Sequence, residues 1–200
     1  MKNNRTLKLI LSVAILVSPL LAQSTKTDMT PDFNGTWILD KQLSVFYFSG
    51  RRTDNGYDYA GDYDNYKLII KQDAGIIVVK QNFLFKTLQK EYETTISPGA
   101  KDKNVEQFIV DISPSVSSHE LVVKDVSISS KSRWKGGKLI RIGDFSFQNS
   151  GWSAEYGCAF EQTYELSKDG NSLIITTNVQ IMVSPNNPID QKSRLQFRRA

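Results

Sequence analysis

The stretch Asp32-Phe33-Asn34-Gly35-Thr36-Trp37-Ile38-Leu39-Asp40 decides the fold. Its Gly-x-Trp centre places a residue that tolerates a tight backbone path two positions before a large apolar ring, a pairing suited to plugging one end of a barrel. Near the far end of the chain, Leu195-Gln196-Phe197-Arg198-Arg199 supplies a last strand with an arginine to lie across that ring. Between the two run strand-like segments at about 34–39, 66–72, 76–85, 87–97, 105–112, 119–130, 137–147, 157–167, 172–183 and 191–198. Asp73-Ala74-Gly75, Gly136-Gly137 and Lys168-Asp169-Gly170-Asn171 offer residues that accept positive φ, and strands joined by such turns are antiparallel neighbours.

Alternation assigns the faces. Cys158, Phe160, Tyr164 and Leu166 share one side, with Glu161, Thr163 and Glu165 on the other, and Leu173, Ile175, Val179 and Ile181 align likewise. Tyr66, Leu68 and Ile70 oppose Lys67 and Lys71, and Ile77, Val79, Phe83 and Phe85 oppose Lys80 and Asn82. Only Leu43 and Phe46, three apart, suggest a helical turn, over 40–46. Half-buried strands in series need closure, so the sequence predicts an all-β fold. That fold is a single antiparallel up-and-down barrel of about 8–10 strands, with a long loop, 50–65, after the first.

Residues 1–24 read as an export leader: Lys2, Arg5 and Lys8 precede a mostly apolar run from Leu9 to Ala22, with cleavage expected after Ala22 or Ser24. The run is shorter than the roughly 20 residues a spanning helix requires. The barrel domain is therefore expected over 25–200 in the periplasm or medium, without stable membrane insertion. Three of the 25 basic residues and none of the 21 acidic ones lie in the leader, which leaves 22 against 21, a net charge of +1. Such a chain has no general drive toward nucleic acid.

No catalytic, cofactor or metal motif stands out. His119, the single histidine, lies at a strand entrance without a Gly-x-Ser-x-Gly elbow, and it stands 39 residues from the single cysteine, Cys158, too far for a compact zinc set. Asp54, Asp58, Asp62 and Asp64 do not match a calcium-loop spacing and read as solvated carboxylates. Cys158, on an apolar face, reads as a small hydrophobe. Gln81 and Gln162 share faces with apolar residues, where a buried amide needs a hydrogen-bond partner: a ligand, a core group or a trapped water.

Gly35-Thr36-Trp37 with Leu39-Asp40, Ser132-Arg133-Trp134-Lys135-Gly136-Gly137-Lys138-Leu139, the Tyr164–Leu173 hairpin and the closing Phe197-Arg198-Arg199 resemble, in order and spacing, the secreted bacterial lipocalin-like proteins. The resemblance implies a calycin-type barrel that holds a small molecule. Gly35 and Trp37 would form its floor, with Arg194, Arg198 or Arg199 as the covering cation, of which only Arg199 shares parity with Leu195 and Phe197. The expected role is binding of a small, partly apolar ligand in the lumen, oriented by Gln81, Gln162 and Tyr164 and reached past Tyr57, Tyr59 and Tyr63 of the 50–65 loop. Two alternatives stand beside it: an isomerase or hydratase using a lumenal carboxylate, and an envelope interaction protein with a filled core.

Overall fold

Trp37 pairs in register with Arg199 on one side and Leu68 on the other, so the beginning and the end of the domain meet in one sheet. The structure is a computed structural model and describes residues 30–49, 59–111, 121–148, 155–182 and 188–200. Its strands are β1 (Gly35–Leu39), β2 (Val45–Ser49), β3 (Tyr63–Asp73), β4 (Ile76–Phe85), β5 (Leu88–Ile96) and β6 (Lys101–Asp111). They continue as β7 (Leu121–Lys135), β8 (Lys138–Gln148), β9 (Glu155–Leu166), β10 (Ser172–Met182) and β11 (Pro188–Arg199). All belong to one antiparallel up-and-down sheet, ordered β5-β4-β3-β1-β11-β10-β9-β8-β7-β6 and nearly closed into a barrel.

The first wall position is a broken strand. β1 pairs with Phe197–Arg199 and β2 pairs with Asp190–Arg194, both on the same edge of β11. The 3-10 turn Lys41–Leu43 lies between them, capped by the Asp40 side chain, which accepts from the Gln42 N–H. Ser44 Oγ locks the break by donating to the Asp40 carbonyl at 2.6 Å and accepting from Gln196 N–H at 2.9 Å. The helical turn expected over 40–46 is thus shorter than its residue range, because Val45 and Phe46 enter a strand. The loop expected over 50–65 also ends earlier: residues 59–62 form a second 3-10 turn and Tyr63 opens β3.

Following the strands up and down assigns the connections to two ends. The turns at 74–75, 97–100, 136–137 and 167–171 lie at the Trp37 end, while the two-residue turn at 86–87 joins β4 to β5 at the opposite rim. Gly75, Gly136, Gly137 and Gly170 take positive φ in the short turns, as expected from their sequence context. The closed end is packed by Phe33, Trp37, Leu68, Ile77, Ile96, Leu139, Leu173 and Phe197, all at most 1% exposed. A second cluster toward the rim holds Phe108, Phe145, Phe160, Cys158, Val179 and Ile181. Burial of each such side chain contributes about 1.5–3 kcal/mol before entropy is subtracted.

Closure is incomplete at two seams. β5 and β6 share no main-chain ladder. Near their connecting turn the Asn104 amide stands in for a strand partner, with Oδ1 accepting from Thr95 N–H at 3.1 Å and Nδ2 donating to the Thr95 carbonyl at 2.9 Å. On its other flank, β7 pairs with β8 only as far as Ser129 opposite Asp144, although it pairs with β6 from Lys131 to Leu121. The upper β6–β7 hairpin therefore stands between two seams. Gly143 sits at the fork, where an added Cβ would fall 2.5 Å from the Ser129 carbonyl oxygen and 2.6 Å from the Phe160 ring.

That crowding gives a direct test. Gly143→Ala forces either β7 or the Phe160 ring to shift, an overpacking cost of about 1–3 kcal/mol. Urea denaturation is expected to show a lower midpoint, whereas Gly75→Ala, with open space around its Cβ, carries only the strain of its positive φ.

Candidate functional site

The floor is built from the residues that its sequence signature singles out. Trp37 is fully buried, its Nε1 donates to the Phe33 carbonyl at 3.0 Å, and the Arg199 guanidinium lies 4.4 Å from the ring centroid. Arg199 Nη1 also donates to the Asn34 carbonyl at 2.8 Å, joining a cation–π contact to a hydrogen bond. Gly35, at φ 137°, leaves the space that this guanidinium occupies, for a Cβ there would lie 3.1 Å from Nη1. Phe33 stacks on Trp134 at 5.6 Å and meets Tyr164 at 6.3 Å, which carries the floor up into the lumen.

Above the floor the interior turns polar. Arg141 on β8, 1% exposed, engages both carboxylate oxygens of Glu106 on β6, donates from Nε to Ser130 Oγ on β7 at 3.0 Å, and places its guanidinium 5.3 Å from the Phe160 ring centroid. Burial acts to lower the Arg141 pKa, but the hydrogen bonds and charge of Glu106 outweigh it and hold the group above its ordinary value. Beside this pair, Tyr164 donates to Gln162 Oε1 at 2.8 Å, Gln162 Nε2 donates to Thr177 Oγ1 at 3.1 Å, and Tyr66 donates to Gln81. Burial pushes the Tyr63, Tyr66, Tyr92 and Tyr164 phenols up, so each remains an O–H donor at neutral pH.

These groups surround one internal cavity of about 80 Å³. Gln81, Gln162, Tyr164 and Tyr63, four of the six candidate ligand residues, all line it. Tyr63 does so from a strand and not from a loop, packed against Tyr66 at 4.9 Å and Phe85 at 5.0 Å. Tyr57 lies outside the described residues, and of Tyr59 only the backbone, in a 3-10 turn, is described. One further lining group lacks a hydrogen-bond partner: Gln191 Oε1 is a buried acceptor that receives no donor, whereas the Gln107 amide turns to Asp125 on the exposed face, Nε2 donating to its carboxylate at 2.6 Å. Gln191 is itself 6% exposed.

The remaining chemical candidates separate cleanly. Asp64 pairs with Lys41 at 2.6 Å and Asp62 faces Lys86 at 3.6 Å, so both carboxylates meet lysines. Asp54, Asp58 and His119 lie outside the described residues. No group of three or more metal-ligating side chains occurs among the described residues. Cys158 is buried with its thiol pushed up to about 12 by desolvation. Among described residues, no helix is long and apolar enough to cross a membrane, and Lys67, Lys71 and Lys80 stand exposed along the outer wall.

Compared with known protein families and with curated proteins, the sequence matches none. The site is therefore argued from its geometry. Its central pair, Glu106 and Arg141, was not among the sequence candidates. Arg141 was legible, since Leu139, Phe145 and Phe147 fix the inward parity of β8. Glu106 was not, because Val105 and Ile109 oppose Phe108 in parity and leave the inward face of β6 undecided.

Two measurements check this description. Arg141→Leu, which strands the Glu106 carboxylate in the interior, is expected to cost about 3–5 kcal/mol, and Arg141→Leu with Glu106→Leu is expected to recover most of it in urea denaturation. The Cys158 thiol should resist aromatic disulfide reagents at pH 8 until the chain unfolds. With its folded pKa near 12 against an ordinary 9.0, the stability linked to it is intact below pH 9.0 and lost as pH rises toward 12, a limb that Cys158→Ala removes.

Proposed function

We propose that this is an exported, lipocalin-like barrel that binds a small, partly apolar molecule carrying a hydrogen-bond donor. The observation that carries the reading is a buried, unpartnered acceptor, Gln191 Oε1, on the wall of a cavity whose other amides, Gln81 and Gln162, are hydrogen-bonded. A buried acceptor without a donor costs about 1–3 kcal/mol, a burden that a purely structural core sheds by substitution with an apolar residue. Phe46, Phe83, Ile109, Ile175 and Leu195 line the rest of the cavity and supply non-directional affinity.

Size limits the ligand. An apolar cavity of about 150 Å³ takes in benzene, so about 80 Å³ suits a molecule of a few heavy atoms. A short-chain alcohol, amine or primary amide has both the size and the donor. Export rests on the leader at 1–24, and the lipocalin-like assignment rests on the Gly-x-Trp floor with its terminal arginine, within an up-and-down barrel.

Amide chemical shifts of the mature chain, titrated with short alcohols and primary amides and with ethers of matched size, test the reading. Donor-bearing compounds should shift the Gln191 side-chain signals, and Gln191→Leu should weaken their binding about tenfold. Equal binding by the ethers, or no shift with any compound, overturns it in favour of a filled scaffold.

A further inference from the structure

A second concavity lies apart from the lumen, on the wall where lower β6, β7 and β8 meet. It encloses about 640 Å³, within the range of small-molecule sites, and is lined by Lys101, Lys131, Arg133, Ile140 and Ile142 with Asp144 at one end. It lies over the paired stretch from Ser129 opposite Asp144 to Arg133 opposite Ile140, where Gly143 contributes no side chain. Every residue that lines it is described.

Its charges are arranged against their own repulsion. Lys101 and Lys131 stand directly opposite in the β6–β7 register, an arrangement that destabilises a sheet, and Arg133 follows Lys131 on the same face. None of the three forms an ion pair with a described residue, whereas Lys41, Lys80, Lys138 and Arg198 each meet a carboxylate. Asp144, the single acid lining the groove, sits opposite Ser129 and makes no ion pair with these cations. The Ser129 hydroxyl also lines the groove and is buried without a partner, whereas Ser132 shares the lumen-facing parity of Ser130. Ile142, 45% exposed, and Ile140 add an apolar strip beside the cations.

We infer that this groove binds a small amphipathic anion. Its carboxylate, sulfate or phosphate head is held by Lys101, Lys131 and Arg133 with the Ser129 hydroxyl as a donor, and its apolar part lies on Ile140 and Ile142. Three uncompensated cations favour a negative head, and the isoleucines favour an amphiphile over an inorganic ion. The occupant is a dissolved molecule, because the cations and the two isoleucines line an open concavity of about 640 Å³, sized for one small ligand, and a flat bilayer does not follow a concave face.

The mature chain titrated with octyl phosphate at low ionic strength, followed by amide chemical shifts, tests the inference. Octyl phosphate should shift residues 129–133 and 140–142, and Lys131→Ser with Arg133→Ser should weaken it at least about tenfold. Ile142→Ser should also weaken it, and Asp144→Asn should tighten it. Because these side chains are on the outer wall, lumen binding of short alcohols serves as the folding control. The inference is overturned if the double variant binds as tightly as the parent, if inorganic phosphate binds equally well, or if phosphatidylglycerol vesicles engage the chain and octyl phosphate does not.

Discussion

The buried guanidinium of Arg141 organises the half of the barrel that main-chain pairing leaves unfinished. The ladder that should hold β7 to β8 ends at Ser129, and β6 has no ladder to β5. Arg141 reaches from β8 to Ser130 on β7 and Glu106 on β6, and so fastens three strands from inside the lumen. A buried ion pair gains little net stability over an apolar filling, so its value lies in fixing how these strands meet. Gly143 and Phe160 complete the arrangement: the missing side chain admits the ring, and the ring faces the guanidinium.

The floor solves a different problem with the same chemistry. At that end the chain's first and last strands must be joined, and the indole of Trp37 offers a face large enough for Arg199 to cover. There the arginine is near solvent and bonded to a backbone carbonyl, so its charge carries little desolvation cost. One arginine seals the barrel from below, and the other braces it from within.

Much of this was legible in the residues because a barrel wall writes its inside and outside at every second position. Ile77, Val79, Phe83 and Phe85 alternate with polar neighbours and are buried as their parity requires, and Ile76, which breaks that pattern, is 46% exposed. β2 was not legible as a strand, since Leu43 and Phe46 three apart mimic a helical turn and only pairing with β11 makes Val45–Ser49 extended. The cavity was half legible. Gln81 and Gln162 announce polar groups on an apolar face, but their engagement by Tyr66 and Thr177 comes from other strands and leaves Gln191 as the open acceptor. The outer groove had no sequence signature at all, because only the register of three strands sets Lys101, Lys131 and Ile142 side by side.

The Asn104 clasp has a bearing on how copies of this chain coexist. A sheet that fails to close offers two free edges, and a free edge invites a strand from another molecule to join it. Here both edges belong to one hairpin, turned at 97–100, and the amide of Asn104 occupies the Thr95 N–H and C=O that an intruder would seek first. A single side chain thereby denies one pairing position of the β5–β6 seam to a strand from another copy.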